Sequence, residues 1–289
     1  MIIKTQSISF EHKKAVESLR AEYGHSLSSH AFASLYIWKE QMGLSLLITP
    51  KMFTVRCKWK GPNSWFFPCG DKNAALEFIS SMQNTPDFCL CYLSWIDAKW
   101  LNSQFPGRWQ LLRDTGADEY LYDVNGHMTL LGGEYANMRT QVHKVEREYA
   151  PYTMPLTNDN LDDALEILSQ WRHGYKRFGS SGLRDEMVDE KALLMRHQLG
   201  VTGIILYLKD KPVAISAGFM LTDDIFDMAV SKSISLLQGV SYYAKRELFK
   251  CLSCSTINLE EDLGIEGLRR MKTGMHPIGK NEIWEARLI

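Results

Sequence analysis

The run Asn258-Leu-Glu-Glu-Asp-Leu-Gly-Ile-Glu-Gly-Leu-Arg-Arg-Met-Lys-Thr-Gly274, followed by His276-Pro277, sets acidic residues ahead of basic ones across a strand-to-helix turn. Carboxylates so placed can orient an ammonium group or take a proton from an attacking amine or hydroxyl. Asp262, Glu261 and Asn258 are the candidates for catalysis, Asn258 by holding a backbone or substrate carbonyl at a strand end. Glu260, Arg269 and Lys272 are the candidates for holding a substrate. Helix electrostatics accounts for the same order of charges: an acid at a helix start or a base at its end stabilises it by ~0.3–1 kcal/mol.

A second group of polar residues precedes a helix near Gly239. Ser231, Lys232, Ser233, Gln238 and Gly239 are expected in a loop around free helix amides, where the dipole favours an anion such as the phosphate of a carrier. An ordinary polar loop closed by glycine has the same composition. Arg139, Lys144 and Arg147, with His143, recur three to four apart on a third segment and can face one way as a contact for tRNA or phosphate. Glu146 and Glu148 dilute that stripe into a solvated helix face. Trp59, Trp65, Phe66 and Phe67 lie among Lys58, Lys60 and Asn63; they suit hairpin packing better than base stacking. His173-Gly-Tyr-Lys-Arg177 leads into Gly179-Ser-Ser-Gly182, either a cover over a cleft or a plain connection. Cys251 and Cys254 have metal-ligand spacing, but no second pair follows, so no metal is expected and the six cysteines read as small buried hydrophobes.

The elements that must position these residues run in the same order twice. In the C-terminal half, helical spacing of Leu161, Ala164, Leu165, Leu168 and Trp171 predicts a helix, and a second follows from Arg184 to Leu199 with Leu193, Leu194 and His197 on its buried side. Strands are expected at 203–208, 212–220 and 225–230, then a helix carrying Val240, Tyr243, Ala244, Leu248, Cys251 and Leu252. A strand at 256–259, a helix at 265–273 and a strand at 282–288 complete the series. The N-terminal half repeats it with helices at 11–23 and 32–42, strands at 45–49, 53–58 and 65–67, a helix at 73–82, a strand at 88–93, a helix at 96–104 and a strand at 119–122. The expected division is therefore 1–133, a basic connecting helix with a proline-marked linker at 134–155, and 156–289.

With 289 residues, 45% hydrophobic and 23% charged, the chain can bury two modest cores. A net charge of -1 gives no global footprint for nucleic acid or an anionic membrane, so any such contact must be local. No stretch approaches the roughly 18 apolar residues of a membrane span, and the start of the chain has no signal-peptide pattern, so a cytoplasmic location is expected.

The phrase from Asn258 to Pro277 resembles the C-terminal signature of bacterial proteins related to the catalytic domain of phosphatidylglycerol lysyltransferase, the DUF2156 family. Asn, acidic residues, Asp-Leu-Gly, Gly-Leu-Arg, Lys and His-Pro occur there in this order. Phe32-Ala-Ser-Leu-Tyr-Ile-Trp38 matches a further family segment. The resemblance implies an α/β fold of two tandem GNAT-like acyltransferase domains, each a mixed sheet flanked by helices. It also implies transfer of an acyl or aminoacyl group. The donor is then aminoacyl-tRNA or acyl-coenzyme A, with no tightly bound cofactor, and the acceptor is a soluble molecule or a peripheral lipid headgroup. The GNAT pyrophosphate turn is matched only in part, because Gln238 is followed directly by Gly239. A non-catalytic binding protein that keeps the fold is the reading from another class.

Overall fold

Two apolar periodicities, helical and alternating, partition the chain into helices and strands that assemble on two separate sheets. The computed structural model describes residues 4–175, 185–234 and 237–289, so Arg177 and the Gly179–Gly182 loop lie outside the described residues. Contacts divide the chain into two compact units: one of residues up to Glu119, Glu261–Leu268 and Lys280–Ile289, the other of Tyr120–Glu260 and Arg269–Gly279.

In the first unit a short turn at Phe10–His12 leads into α1 (Lys13–Glu22) and α2 (Phe32–Trp38). There follow β1 (Leu44–Ile48), β2 (Met52–Cys57), β3 (Ser64–Phe66), β4 (Cys69–Gly70), α3 (Lys72–Met82), β5 (Cys89–Leu93), α4 (Trp95–Gln104) and β6 (Trp109–Arg113). Both later helices start on a side-chain cap. The Asp71 carboxylate accepts the Asn73 and Ala74 amides, and Ser94 and Asp97 cap each other. The core gathers Trp65, Phe78, Phe88, Leu90, Leu101 and Trp109.

The second unit runs through β7 (Glu119–Asp123), α5 (Val124–Thr129), α6 (Ala136–Tyr149), β8 (Tyr152–Pro155), α7 (Leu161–Tyr175), α8 (Asp185–Leu194) and α9 (Arg196–Leu199). It continues with β9 (Thr202–Leu208), β10 (Lys211–Met220), β11 (Ile225–Ser233), α10 (Val240–Phe249), β12 (Thr256–Asn258), α11 (Glu266–Thr273) and β13 (Gly279–Asn281). The last strand of the chain, β14 (Trp284–Leu288), returns to the first unit's sheet.

The sheet orders revise the expected division. The first sheet is β1-β2-β3-β5-β14-β6 with β4 on β2, and the second is β13-β7-β12-β11-β10-β9-β8. Thus β7, expected to close the N-terminal half, pairs antiparallel with β12, while β14 pairs antiparallel with both β5 and β6. Nor is 134–155 a linker. Met138, Val142 and Val145 on α6 are buried in the second unit's core at helical spacing, and β8 adds an edge strand beside β9. Proline is tolerated there because an edge strand needs no ladder donor on its open side. The helix expected over Arg184–Leu199 breaks into α8 and α9, which leaves Leu194 and His197 exposed and buries Arg196 instead.

All six cysteines are free, and five are buried; Cys251 is exposed. Among the described residues, no helix is long and apolar enough to cross a membrane, and no group of three metal-ligating side chains converges.

The pairing of β10 with β11 in the second sheet is irregular at one point. Their register passes from Ala217↔Val230 to Phe219↔Asp227, so β11 carries one residue more than its partner opposite Gly218. That is a β-bulge, and a Cβ on Gly218 would collide with the Asp227 carbonyl. Replacing Gly218 by Ala is therefore expected to lower unfolding free energy by about 3 kcal/mol, as overpacking against backbone does. Urea denaturation of both proteins checks it; an unchanged midpoint would show that the bulge has room to spare.

Candidate functional site

Strands β11 and β12 are parallel neighbours for three residues only, Ile225↔Thr256, Phe226↔Ile257 and Asp227↔Asn258. Beyond Asp227 and Asn258, both fully buried, β11 continues along β10 to Ser233 while β12 ends. The shared ladder therefore stops at Asp227 and Asn258, at the level of the bulge opposite Gly218.

The end of β12 is held by side chains from the same unit. The Asn258 Oδ1 accepts the Glu260 amide at 2.8 Å, in a turn where Glu260 takes a left-handed φ of 58°. A carboxylate-bearing residue in that conformation is uncommon, and such strain gathers at working sites. Lys272 reaches back from α11. Its Nζ donates to the Leu259 carbonyl at 2.5 Å and the Glu260 carbonyl at 3.0 Å, over the ring of Tyr120. The Tyr122 hydroxyl in turn donates to the Lys272 carbonyl at 2.8 Å. Asn258, Glu260 and Lys272 are thus brought together. Lys272, expected to meet substrate, is instead buried and spends two donors on backbone carbonyls.

Glu261 and Asp262 belong to the first unit. Asp262 is fully buried; its Oδ1 accepts the Gly264 amide at 2.8 Å and its carbonyl accepts the Ile265 amide. Asp262, expected as a catalytic carboxylate, thus shapes its own turn. Glu261 is half-buried, and its charge is among the causes that hold the phenol of Tyr92 well above the usual range, after burial. Arg269 is exposed on α11.

The phosphate-loop expectation needs correction. Ser231, Lys232 and Ser233 are strand residues of β11, paired with Ser216, Ile215 and Ala214. The strand runs past its expected end because its partner β10 is long enough to pair with it. Lys232 points to α7 and α8, where its Nζ lies 3.0 Å from Asp189 and 4.5 Å from the Trp171 ring centroid. Gln238 and Gly239 do precede α10, with Gly239 at φ 94°, but a side chain there would meet the Gln141 carbonyl of α6. On α6, Lys144 and Arg147 are exposed, whereas Arg139 donates to the carbonyls of Leu130 and Gly132.

Three features are not evident from the sequence pattern. Gly218 within a strand was the available signal for the bulge. His127 on α5 is buried among Tyr122, Tyr135 and Phe249, and burial pushes its pKa down to about 4, with its Nε2 unpartnered. In the first unit, a cavity of about 480 Å³ is lined by His25, Cys69, Lys72, Ser94, Trp95 and Asp97 among others. The His25 and His30 rings lie tilted at 43° with centroids 4.1 Å apart, and burial holds the pKa of His25 well below the usual imidazole range.

Comparison with known proteins places this geometry. The family described as phosphatidylglycerol lysyltransferase, C-terminal, matches residues 20–285. No curated protein matches the sequence. A conserved protein of unknown function from Bacteroides thetaiotaomicron shares the fold over 100% of both chains, with a TM-score of 0.90 at 21% identity. The C-terminal domain of a putative lysylphosphatidylglycerol synthetase from Agrobacterium fabrum aligns over 96% of this chain and 92% of its own, with a TM-score of 0.68 at 13% identity. FemX aligns over 99% of this chain and 98% of its own, with a TM-score of 0.67 at 6% identity.

The placements of Lys272 and His30 each carry an expected outcome. Substituting Lys272 by Met removes both of its donors from buried carbonyls, so unfolding free energy should drop by about 2 kcal/mol. Amide exchange at Glu260 should quicken as the turn loosens, and exchange no faster than in the parent would show that Asn258 alone holds it. For His30, burial brings the folded pKa to about 4, below its ordinary 6.5, despite the 2.8 Å contact of Nε2 with the Phe67 carbonyl. The unfolded state takes the proton first, so this contribution to stability is complete above pH 6.5 and is lost as pH falls towards 4. Imidazole NMR titration should place the His30 midpoint near 4; a midpoint near 6.5 would contradict it.

Proposed function

From the premise that this chain belongs to the phosphatidylglycerol lysyltransferase C-terminal family, we propose that it transfers an aminoacyl group from a charged tRNA to an amine or hydroxyl acceptor, soluble or part of a lipid headgroup. The observation that carries the reading is the parting of β11 from β12 beside the bulge at Gly218. An ester carbonyl lodged there faces the edge of β11 that β12 no longer covers, and amides on such an edge can take up charge as the carbonyl becomes tetrahedral. The Glu260 carboxylate, set by its left-handed backbone and the Asn258 side chain, is suited to orient an incoming ammonium. Asp262 is assigned to shaping its own turn. The exposed Lys144 and Arg147 on α6 offer a local basic contact for the phosphates of a nucleic-acid carrier despite a net charge near zero.

The test is a transfer assay with radiolabelled aminoacyl-tRNA prepared from each amino acid, offered to free amines and to phosphatidylglycerol vesicles. One charged tRNA should lose its aminoacyl ester faster than in buffer, with label recovered on one acceptor class. Deacylation at the spontaneous rate for every charged tRNA, with acetyl-coenzyme A consumed instead, would move the chain to the acyl-coenzyme A class. Reversing two charges with Lys144→Glu and Arg147→Glu should weaken charged-tRNA binding about tenfold or more at low salt and flatten its salt dependence. Filter binding at two salt concentrations reads both effects.

A further inference from the structure

In the second unit, Ser241 and Lys245 stand one helical turn apart on α10, and the Lys245 Nζ lies 2.6 Å from the Ser241 Oγ. The two residues have opposite environments. Ser241 is exposed in the first turn of the helix, whereas Lys245 is buried. Burial, then the charge of Lys272 from α11, then that of Lys232 from β11, all act to remove the Lys245 proton, and they bring its pKa down to about 8. His127, from α5, is a further titratable group that senses this lysine, and burial keeps it neutral. No carboxylate is among the groups that move the amine. A desolvated lysine beside other cations is a base near neutral pH, and a hydroxyl within hydrogen-bond reach is the group it can activate. Among the described residues no side chain caps α10, and Ser241 sits in its first turn, at the positive end of the helix dipole.

We infer that Ser241 and Lys245 are a serine–lysine dyad, nucleophile and base, which takes up an acyl group on Ser241 from an activated carboxylic ester. The Ser241 Oγ attacks the ester carbonyl and its proton passes to the Lys245 Nζ. The tetrahedral oxyanion collapses, the bond from the acyl carbon to the leaving oxygen breaks, and the Lys245 proton goes to the departing alkoxide. Water or an amine then attacks the acyl-serine, gives its proton to Lys245, and expels the Ser241 Oγ, which recovers that proton. No redox partner enters. This chemistry does not depend on the donor being a tRNA, so a failed transfer assay leaves it standing or falling by its own test.

That test uses the full chain and p-nitrophenyl acetate, with p-nitrophenolate release followed by absorbance and the acetyl group located by peptide mass mapping. The expected result is a burst of up to one equivalent, with acetyl on Ser241. Its rate should rise with pH through about 8 and then level, as the amine loses its proton. Lys245→Met should slow acetylation of Ser241 by about 100-fold, and Ser241→Ala should remove it from that peptide while the melting temperature stays near that of the parent. If Lys245→Met fails to fold, the parent's peptide map and pH profile still decide. Acetyl confined to lysine amines overturns the dyad. So does a Ser241 rate equal to that of the exposed Ser253 with no step near pH 8, or a folded Lys245→Met protein that keeps the full rate.

Discussion

A buried ammonium is costly unless its donors are used, and in the second unit Lys272 uses two of them on the carbonyls that follow β12. That clamp fixes where β12 stops. Asn258 and the left-handed Glu260 then turn the backbone away from β11, whose own extra residue opposite Gly218 tilts it further along β10. The opening between two parallel strands is thus shaped by side chains satisfying backbone. Tyr120 and Tyr122 beneath the clamp are both fully buried, so the polar end of β12 rests on an aromatic floor.

The charges around this opening separate by role. Carboxylates that looked like a reactive cluster are divided between a turn former, Asp262, and a residue aimed by its backbone, Glu260. Buried lysines lie in the same unit. Lys272 donates to two backbone carbonyls, while burial pushes the pKa of Lys245 down to about 8 and that of His127 down to about 4.

Much of the fold was legible in the sequence because apolar spacing is a local signal. Val240, Tyr243, Ala244 and Leu248 line the buried face of α10 as their spacing requires, and the hairpin of β9 and β10 falls at its polar turn. Pairing between distant strands was not legible, because β7 and β14 have the same alternation whichever sheet receives them. Lys272 shows why site roles were harder to read. A lysine near the end of a helix satisfies the macrodipole rule in any fold, and only the path of the chain after Asn258 brings two carbonyls within its reach. Lys245 was hidden for a related reason: within an amphipathic helix its burial depends on what α5, α6 and β9 to β11 place around it. The extra residue of β11 left a trace in Gly218, since glycine inside a strand marks a close backbone approach.

The position of β14 between β5 and β6 has a consequence for how the protein is made. As the chain leaves the ribosome, strands β1 to β6 emerge first, yet β6 has no partner in their sheet until β14 follows, after the whole second unit. The N-terminal portion must wait with an open sheet edge and with Trp109 and Trp284 not yet packed, a state exposed to wrong pairing. Closure of that edge joins segments far apart in the chain in one slow, long-range step. Losing a few residues at the far end of the chain would therefore be felt first in the unit that began it.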